Sequence, residues 1–308
     1  MTAPRSYIPA PAGDFVLPFD LAPLGLRGRL LRLDKASAQA LSAHALPEAA
    51  GRALGEMLVL TGLLGSSLKL DGRLTVQSKS AGALNLLTAD YYGAEGERCA
   101  GLRGYGRVDE AGLAALGTDA RNFARLAGEG VLAITIEPRL GAQSYQGIVP
   151  LSPDGIAASA ETYFAQSEQL PTAIRLAAAP AYVPGIKTPQ WRAGGIMLQA
   201  LPENVRPGDD WERLSSHLRT VEDIELLDTD LAAEGLLWRL FHEDEVRVHC
   251  AEPLAFQCGC DGGRIAAVLR SYPAEERQGL ADADGLIRAR CEFCGAIHAL
   301  GAAELGAG

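Results

Sequence analysis

The sequence predicts an α+β protein: a layered N-terminal α+β domain, a helical linker and a small cysteine-bearing C-terminal domain. Three observations lead there. Strand-like and helix-like stretches come in runs rather than in strict alternation, which favours a layered α+β arrangement over a doubly wound sheet. The texture changes at Pro202, where Pro207 and Gly208 complete a breaker and an acidic helical pattern follows. Five of the six cysteines fall between positions 250 and 294. The expected boundaries are 1–203, 204–250 and 251–308.

In chain order, Leu24 to Leu33 and Arg73 to Gln77 read as strands, each followed by turn residues. Pro47 to Leu68 reads as a helix, with Pro47 suited to a first turn and Leu54, Met57, Leu58, Thr61 and Leu64 at helical spacing. Val131 to Ile136 is rich in β-formers and ends at Pro138. Gln143 to Leu151 is the expected returning strand of a hairpin through Arg139-Leu140-Gly141. Asp154 is the expected N-cap of a helix through Gln166, ended by Pro171. Gly195 to Leu201 closes the domain as a last strand before Pro202.

Beyond the breaker, Trp211, Leu214, Leu218 and Val221 recur three and four residues apart, and Leu236, Leu237, Leu240 and Phe241 repeat the pattern. Two readings fit. The helices are either an amphipathic pair packed on the preceding domain or a detachable linker whose apolar face can be exposed. Periodicity alone does not separate them.

Composition narrows the functional classes. With 48% hydrophobic and 21% charged residues among 308, the chain is typical of globular proteins. Its formal charge of −10 gives no global basic footprint, which argues against nucleic acid as a partner. The stretch from Ala53 to Leu70 is broken by Glu56 and glycines and is too short to span a bilayer, so a buried core helix is expected and no membrane partner. The first residues lack an apolar signal core, and a cytoplasmic location with reduced thiols is the expectation. There is no Gly-Lys dipeptide to build a phosphate loop and no Gly-x-Ser-x-Gly elbow. Gly104-Tyr105-Gly106 lacks the third glycine of a dinucleotide site, and the five histidines suggest no triad. No enzyme activity is expected.

The most informative feature is Cys258-Gly259-Cys260 and, thirty residues on, Cys291-Glu292-Phe293-Cys294. Four thiolates in two close pairs suit one tetrahedral zinc ion, each pair supplying two ligands from one tight turn. Asp261 can cap a helix containing Ile265, Val268 and Leu269, and Leu286 to Arg290 can be the strand leading into the second pair. Gly259 and Gly295 are expected to relieve the backbone where the ligands turn inward. Phe256 to Leu300 is too small for a core of its own, so its folding should depend on the metal. The spacing also permits a small-ring disulfide within each pair, and a disulfide sulfur is no longer a thiolate ligand. A constitutive zinc-ribbon binding module and a thiol–disulfide oxidoreductase remain alternatives, the latter without a thioredoxin-like context. His249, Cys250 and His298 are alternative ligands, Cys250 also an accessory redox thiol, and Cys99 an ordinary one.

The Cys-x-Cys and Cys-x-x-Cys arms resemble those of the 33-kilodalton heat-shock chaperone family, the redox-regulated bacterial holdases. The likeness extends to Tyr145-Gln146-Gly147-Ile148-Val149, Tyr163-Phe164 with Ser167-Glu168-Gln169-Leu170-Pro171, and Gly194-Gly195-Ile196-Met197-Leu198-Gln199. Leu237-Trp238-Arg239-Leu240-Phe241-His242-Glu243 and Cys291-Glu292-Phe293-Cys294-Gly295 continue it, in order, from about residue 15 to 303. The resemblance implies a substrate-interaction domain, a linker and a zinc domain, with zinc on Cys258, Cys260, Cys291 and Cys294 in an inactive reduced form. It implies that oxidation forms the Cys258–Cys260 and Cys291–Cys294 disulfides, expels zinc and destabilises the linker. It further implies an ATP-independent active form, often a homodimer, that holds unfolding client proteins. Cys250 and the stretch from Gly93 to Arg98 depart from the family pattern; Cys250 leaves the disulfide pattern less fixed.

Overall fold

The computed structural model describes residues 13–68, 70–139, 143–182, 185, 188–202, 208–301 and 305. Its α+β chain divides into two compact units, one ending at Phe256 and the other starting at Gln257.

The first unit is organised by a sheet that is buried on both faces. β1 (Phe15–Leu21) and β2 (Leu26–Leu33) pair antiparallel around a tight turn, where Gly25 takes the left-handed conformation at φ 62°. Successive side chains of a strand point to opposite faces. Phe15, Leu17, Phe19 and Leu21 therefore enter one core, while Val16, with Leu31 and Leu33 of β2, enters the other. Gly28 is a consequence of this packing: a Cβ there would lie 2.0 Å from the Phe19 ring.

Helices α1 (Lys35–Ser42) and α2 (Glu48–Ser67) follow, then β3 (Gly72–Ser80), β4 (Leu84–Tyr92) and β5 (Ala100–Val108). Short helices α3 (Glu110–Leu116) and α4 (Phe123–Ala127) lead to the hairpin β6 (Gly130–Pro138) and β7 (Tyr145–Pro150). Next come α5 (Ile156–Tyr163), β8 (Thr172–Ala181) and β9 (Gln190–Ala200). The unit ends with α6 (Gly208–Arg219), α7 (Asp223–Leu227), α8 (Ala233–Phe241), β10 (Arg247–Val248) and β11 (Glu252–Phe256). The strand order is β7-β6-β3-β4-β5-β11-β1-β2-β9-β8, with β10 on β1. β11 joins the two halves, running parallel to β5 and antiparallel to β1. It lies in the span expected to be C-terminal domain, yet it completes the first unit's sheet.

Helix α2 fills the first core. Leu54, Met57, Leu58, Val59, Leu60 and Leu63 are almost fully buried, and the helix packs on β2, β4, β5, β8 and β9. Among the described residues, no helix is long and apolar enough to cross a membrane. Glu56 is the exception on this helix. Its burial, reinforced by the nearby Asp223 carboxylate, raises its pKa to about 7. A raised carboxyl pKa means the folded state holds its proton more tightly than the unfolded state. Stability from this group is full below about pH 4.5 and is lost as pH climbs through about 7. Glu56→Gln is expected to flatten that loss, gaining on the order of 2 kcal/mol over the native protein at pH 8 and little at pH 4.5. Urea unfolding at both pH values measures it, and equal gains at both would refute the assignment.

The second core lies on the opposite face of the sheet, under α6 to α8. Leu214, Leu218, Val221, Leu226, Leu236, Leu237, Leu240 and Phe241 cover Phe15, Leu17, Phe19, Leu26, Leu30, Ile196 and Leu198. The rings of Phe19 and Phe241 stand 5.8 Å apart. Arginines hold the cover at its margins. Arg32 donates to the carbonyls of Leu231 and, at 3.0 Å, Glu225. Arg175 donates to the Val221 carbonyl at 3.0 Å and pairs with Asp223 at 2.7 Å. The helical segment is thus packed on the sheet in this structure, the first of the two readings its periodicity allowed.

Two local expectations differ. The helix at 156 is capped by Gly155 at φ 115° rather than by Asp154, whose N–H instead reaches the Ser152 hydroxyl at 3.2 Å. Only a glycine enters the helix from that conformation without strain. The helix also ends at Tyr163 and widens into a π-turn over Phe164–Glu168, closed by Gln169 at φ 55°. The β6–β7 pairing is as expected, from Val131 opposite Pro150 to Ile136 opposite Tyr145, while Leu140 and Gly141 of its turn lie outside the described residues.

The second unit holds α9 (Gly262–Arg270), α10 (Ala274–Gly279) and the hairpin β12 (Leu286–Arg290) and β13 (Ile297–Gly301). Asp261 caps α9, accepting from the Arg264 N–H at 2.8 Å. Among the described residues its buried apolar cluster is Ala266, Leu269, Ile287 and Leu305. That is a very small core.

Candidate metal centre

Two short segments carry the four cysteines. Cys258 and Cys260 lie just before α9, and Cys291 and Cys294 form a knuckle between β12 and β13. In the knuckle the Cys291 N–H donates to Ala296 O, and the Gly295 N–H donates to Cys291 O, both at 2.8 Å. Gly295 sits at φ 71°, which explains the glycine. Gly259 does not adopt a left-handed conformation, and a Cβ there would meet only the Arg264 side chain at 3.8 Å, so its expected backbone role is not required.

The four Sγ atoms lie within 4.8 Å of one another. Cys258 and Cys291 are 3.7 Å apart and Cys260 and Cys294 3.4 Å. Four sulfurs at about 2.3 Å around one tetrahedral ion stand about 3.8 Å apart, so the arrangement fits a single small ion. Sulfur donors select soft or borderline metals over calcium or magnesium. The four residues can hold a metal.

Their electrostatics are uneven. For Cys291, burial works against the thiolate, but backbone N–H groups of Cys294 and Phe293 outweigh it and bring the thiol to about 7. Burial and the neighbouring thiols push Cys260 up, and burial pushes Cys258 up. A cation among them would favour all four thiolates.

The alternative ligands are placed differently. His249 pairs with Asp20 in the first unit at 2.6 Å, and Cys250 is exposed beside it. Among the described residues the close group comprises the four cysteines alone. His298 lies at its edge, with Nε2 3.4 Å from Cys260 Sγ.

Comparison with known proteins agrees over nearly the whole chain. The profile described as Hsp33 protein matches residues 14–300. A 33 kDa chaperonin of Caulobacter vibrioides is 38% identical over 295 residues, covering 93% of this chain and 94% of the relative. A 33 kDa chaperonin of Enterobacter sp. strain 638 is 37% identical over 280 residues, covering 91% and 89%. The crystal structure of the 33 kDa chaperonin of Thermotoga maritima aligns with a TM-score of 0.77 at 21% identity, covering 94% of this chain and 96% of that one, a likeness of fold. Sheet, helical cover and four-thiol cluster therefore go with a sequence match along the same length, and this chain belongs to the Hsp33 family.

Proposed function

We propose that this chain is a chaperone that holds unfolding proteins without ATP and is switched on by oxidation. The observation that carries this reading is the four-thiol cluster inside a unit whose described residues bury four apolar side chains in one small core. When bound, zinc supplies a cross-link between the Cys258–Cys260 turn and the Cys291–Cys294 knuckle, and the unit stays folded through it. Under peroxide each neighbouring pair loses two electrons. An S–S bond forms within Cys258–Cys260 and within Cys291–Cys294, an O–O bond breaks for each, and the oxygens leave as water, taking two protons per pair from solvent because the bound thiolates carry none. No thiolates then remain to hold the ion.

In the reduced cluster every thiol is within reach of every other. The in-pair assignment rests on sequence spacing and family resemblance. Release of the tail then loosens the α6–α8 cover and exposes the sheet face of Phe15, Leu17, Phe19 and Leu30 to apolar client segments. The oxidised form acts as a homodimer in the cytoplasm.

The test compares reduced, zinc-loaded protein with peroxide-treated protein under mildly unfolding conditions. One zinc released per chain and suppressed aggregation of an unfolding client are expected only after oxidation. Equal suppression by the two forms would refute the switch, and peptide mapping of cross-pair disulfides would refute the pairing.

A further inference from the structure

We infer that His298 is a positioning residue for the metal centre, donating its Nε2–H to the Cys260 thiolate and slowing both metal loss and oxidation of that sulfur. The inference rests on the proposed four-thiolate zinc site and deepens it.

The placement follows from the hairpin. β12 and β13 pair from Leu286 opposite Gly301 to Arg290 opposite Ile297, which sets His298 opposite Ala289. Alternate residues of β13 face alternate sides. Ile297 is 65% exposed on the outer side, whereas His298 and Leu300 turn inward, Leu300 onto the small apolar cluster. His298 is four residues past Cys294 yet contacts Cys260 on the other arm, at 3.4 Å from Nε2 to Sγ. It therefore touches the arm that its own knuckle does not supply.

A thiolate can only accept a hydrogen bond, so the ring nitrogen facing Cys260 must carry the hydrogen. Neutral imidazole does this from Nε2, and no change of charge is needed. Two consequences follow. A donor outside the ligand set orients its ligand, and losing such a partner typically costs about ten- to a hundredfold in metal affinity. The same bond draws electron density from sulfur, making Cys260 a poorer nucleophile toward peroxide. His298 would thus set how much oxidant is needed before the Cys258–Cys260 arm lets go.

The test uses full-length protein and three variants. His298→Gln keeps an N–H near the Nε2 position, while His298→Phe keeps a flat ring without a donor and His298→Ala removes both. Zinc transfer to a chromogenic chelator is timed with and without peroxide, and the sulfur-to-cobalt charge-transfer band is recorded after cobalt substitution. Phe and Ala variants are expected to release zinc about tenfold faster. Their charge-transfer band should move to lower energy, with the Gln variant close to the native protein in both readouts. If the Phe variant matches the native protein in release rate and band position, the inference fails while the zinc site stands. A cobalt spectrum of the native protein showing nitrogen coordination would also overturn it, since His298 would then be a ligand. If the native reduced protein holds no zinc, the underlying reading fails as well.

Discussion

Removing the proposed zinc from the reduced protein is expected to unfold the unit that starts at Gln257 and leave the sheet unit folded through Phe256. The reason is the mismatch between the tail's length and its core. Among the described residues four apolar side chains are buried there, Ala266, Leu269, Ile287 and Leu305, too few to offset the entropy of ordering a tail of this length. Ion pairs do not fill the gap, because Arg288 with Asp282 and Asp284, and Arg264 with Asp261, are all solvent-exposed. Structural zinc binds thiolate sites with about 10–16 kcal/mol of apparent free energy near neutral pH, and here most of it would be folding free energy. Cys291→Ser should have the same effect as chelation, because it removes one of the two thiols the knuckle would offer the metal. Hydrogen exchange on zinc-loaded and chelated protein measures this directly. Amides of β12, β13 and α9 should lose protection, while those of α2 and β9 keep theirs. Protected β12–β13 amides in metal-free protein would end the idea that the metal holds the tail.

The sequence reading was strongest where chemistry or periodicity is local. Four cysteines in two close pairs announce their geometry by spacing, and the structure brings all four sulfurs together. The apolar run through Leu54, Met57 and Leu58 likewise requires a buried helix. Strands β4, β5 and β8 were not legible. β5 contains Gly101, Gly104 and Gly106, residues that weaken a local strand signal, yet a Cβ at Gly104 would sit 3.0 Å from Leu54 and Leu58 of α2. Gly104 makes room for a helix fifty residues away in sequence, and no local rule sees that. Ala178 of β8 is small for a related reason, standing 2.5 Å from where a Cβ on Gly55 would be. The contact of His298 with Cys260 was equally hidden, because it depends on hairpin register rather than on distance along the chain.

The second large effect concerns the helical cover. Phe241 is 1% exposed and stacks near Phe19 across the sheet face, so Phe241→Ala is expected to cost about 3–5 kcal/mol. That loss falls on the attachment of α8, whose other anchors are Leu236, Leu237 and Leu240. If the covered face is what holds client proteins, loosening α8 substitutes for oxidation. The reduced, zinc-loaded variant should then suppress client aggregation without peroxide. Destabilisation alone could mimic this, and Leu58→Ala supplies the control. Leu58 is also 1% exposed but belongs to the core on the opposite side of the sheet, so its loss weakens the unit without lifting the cover. Trp238→Ala is the second control, since Trp238 is 68% exposed on the outer side of the same helix and should change neither stability nor activity much. Activation by Phe241→Ala but not by Leu58→Ala would place client binding under α6–α8. An inactive, zinc-loaded Phe241→Ala protein of lowered stability would separate the cover from the switch and send the search for the client surface elsewhere on the sheet unit.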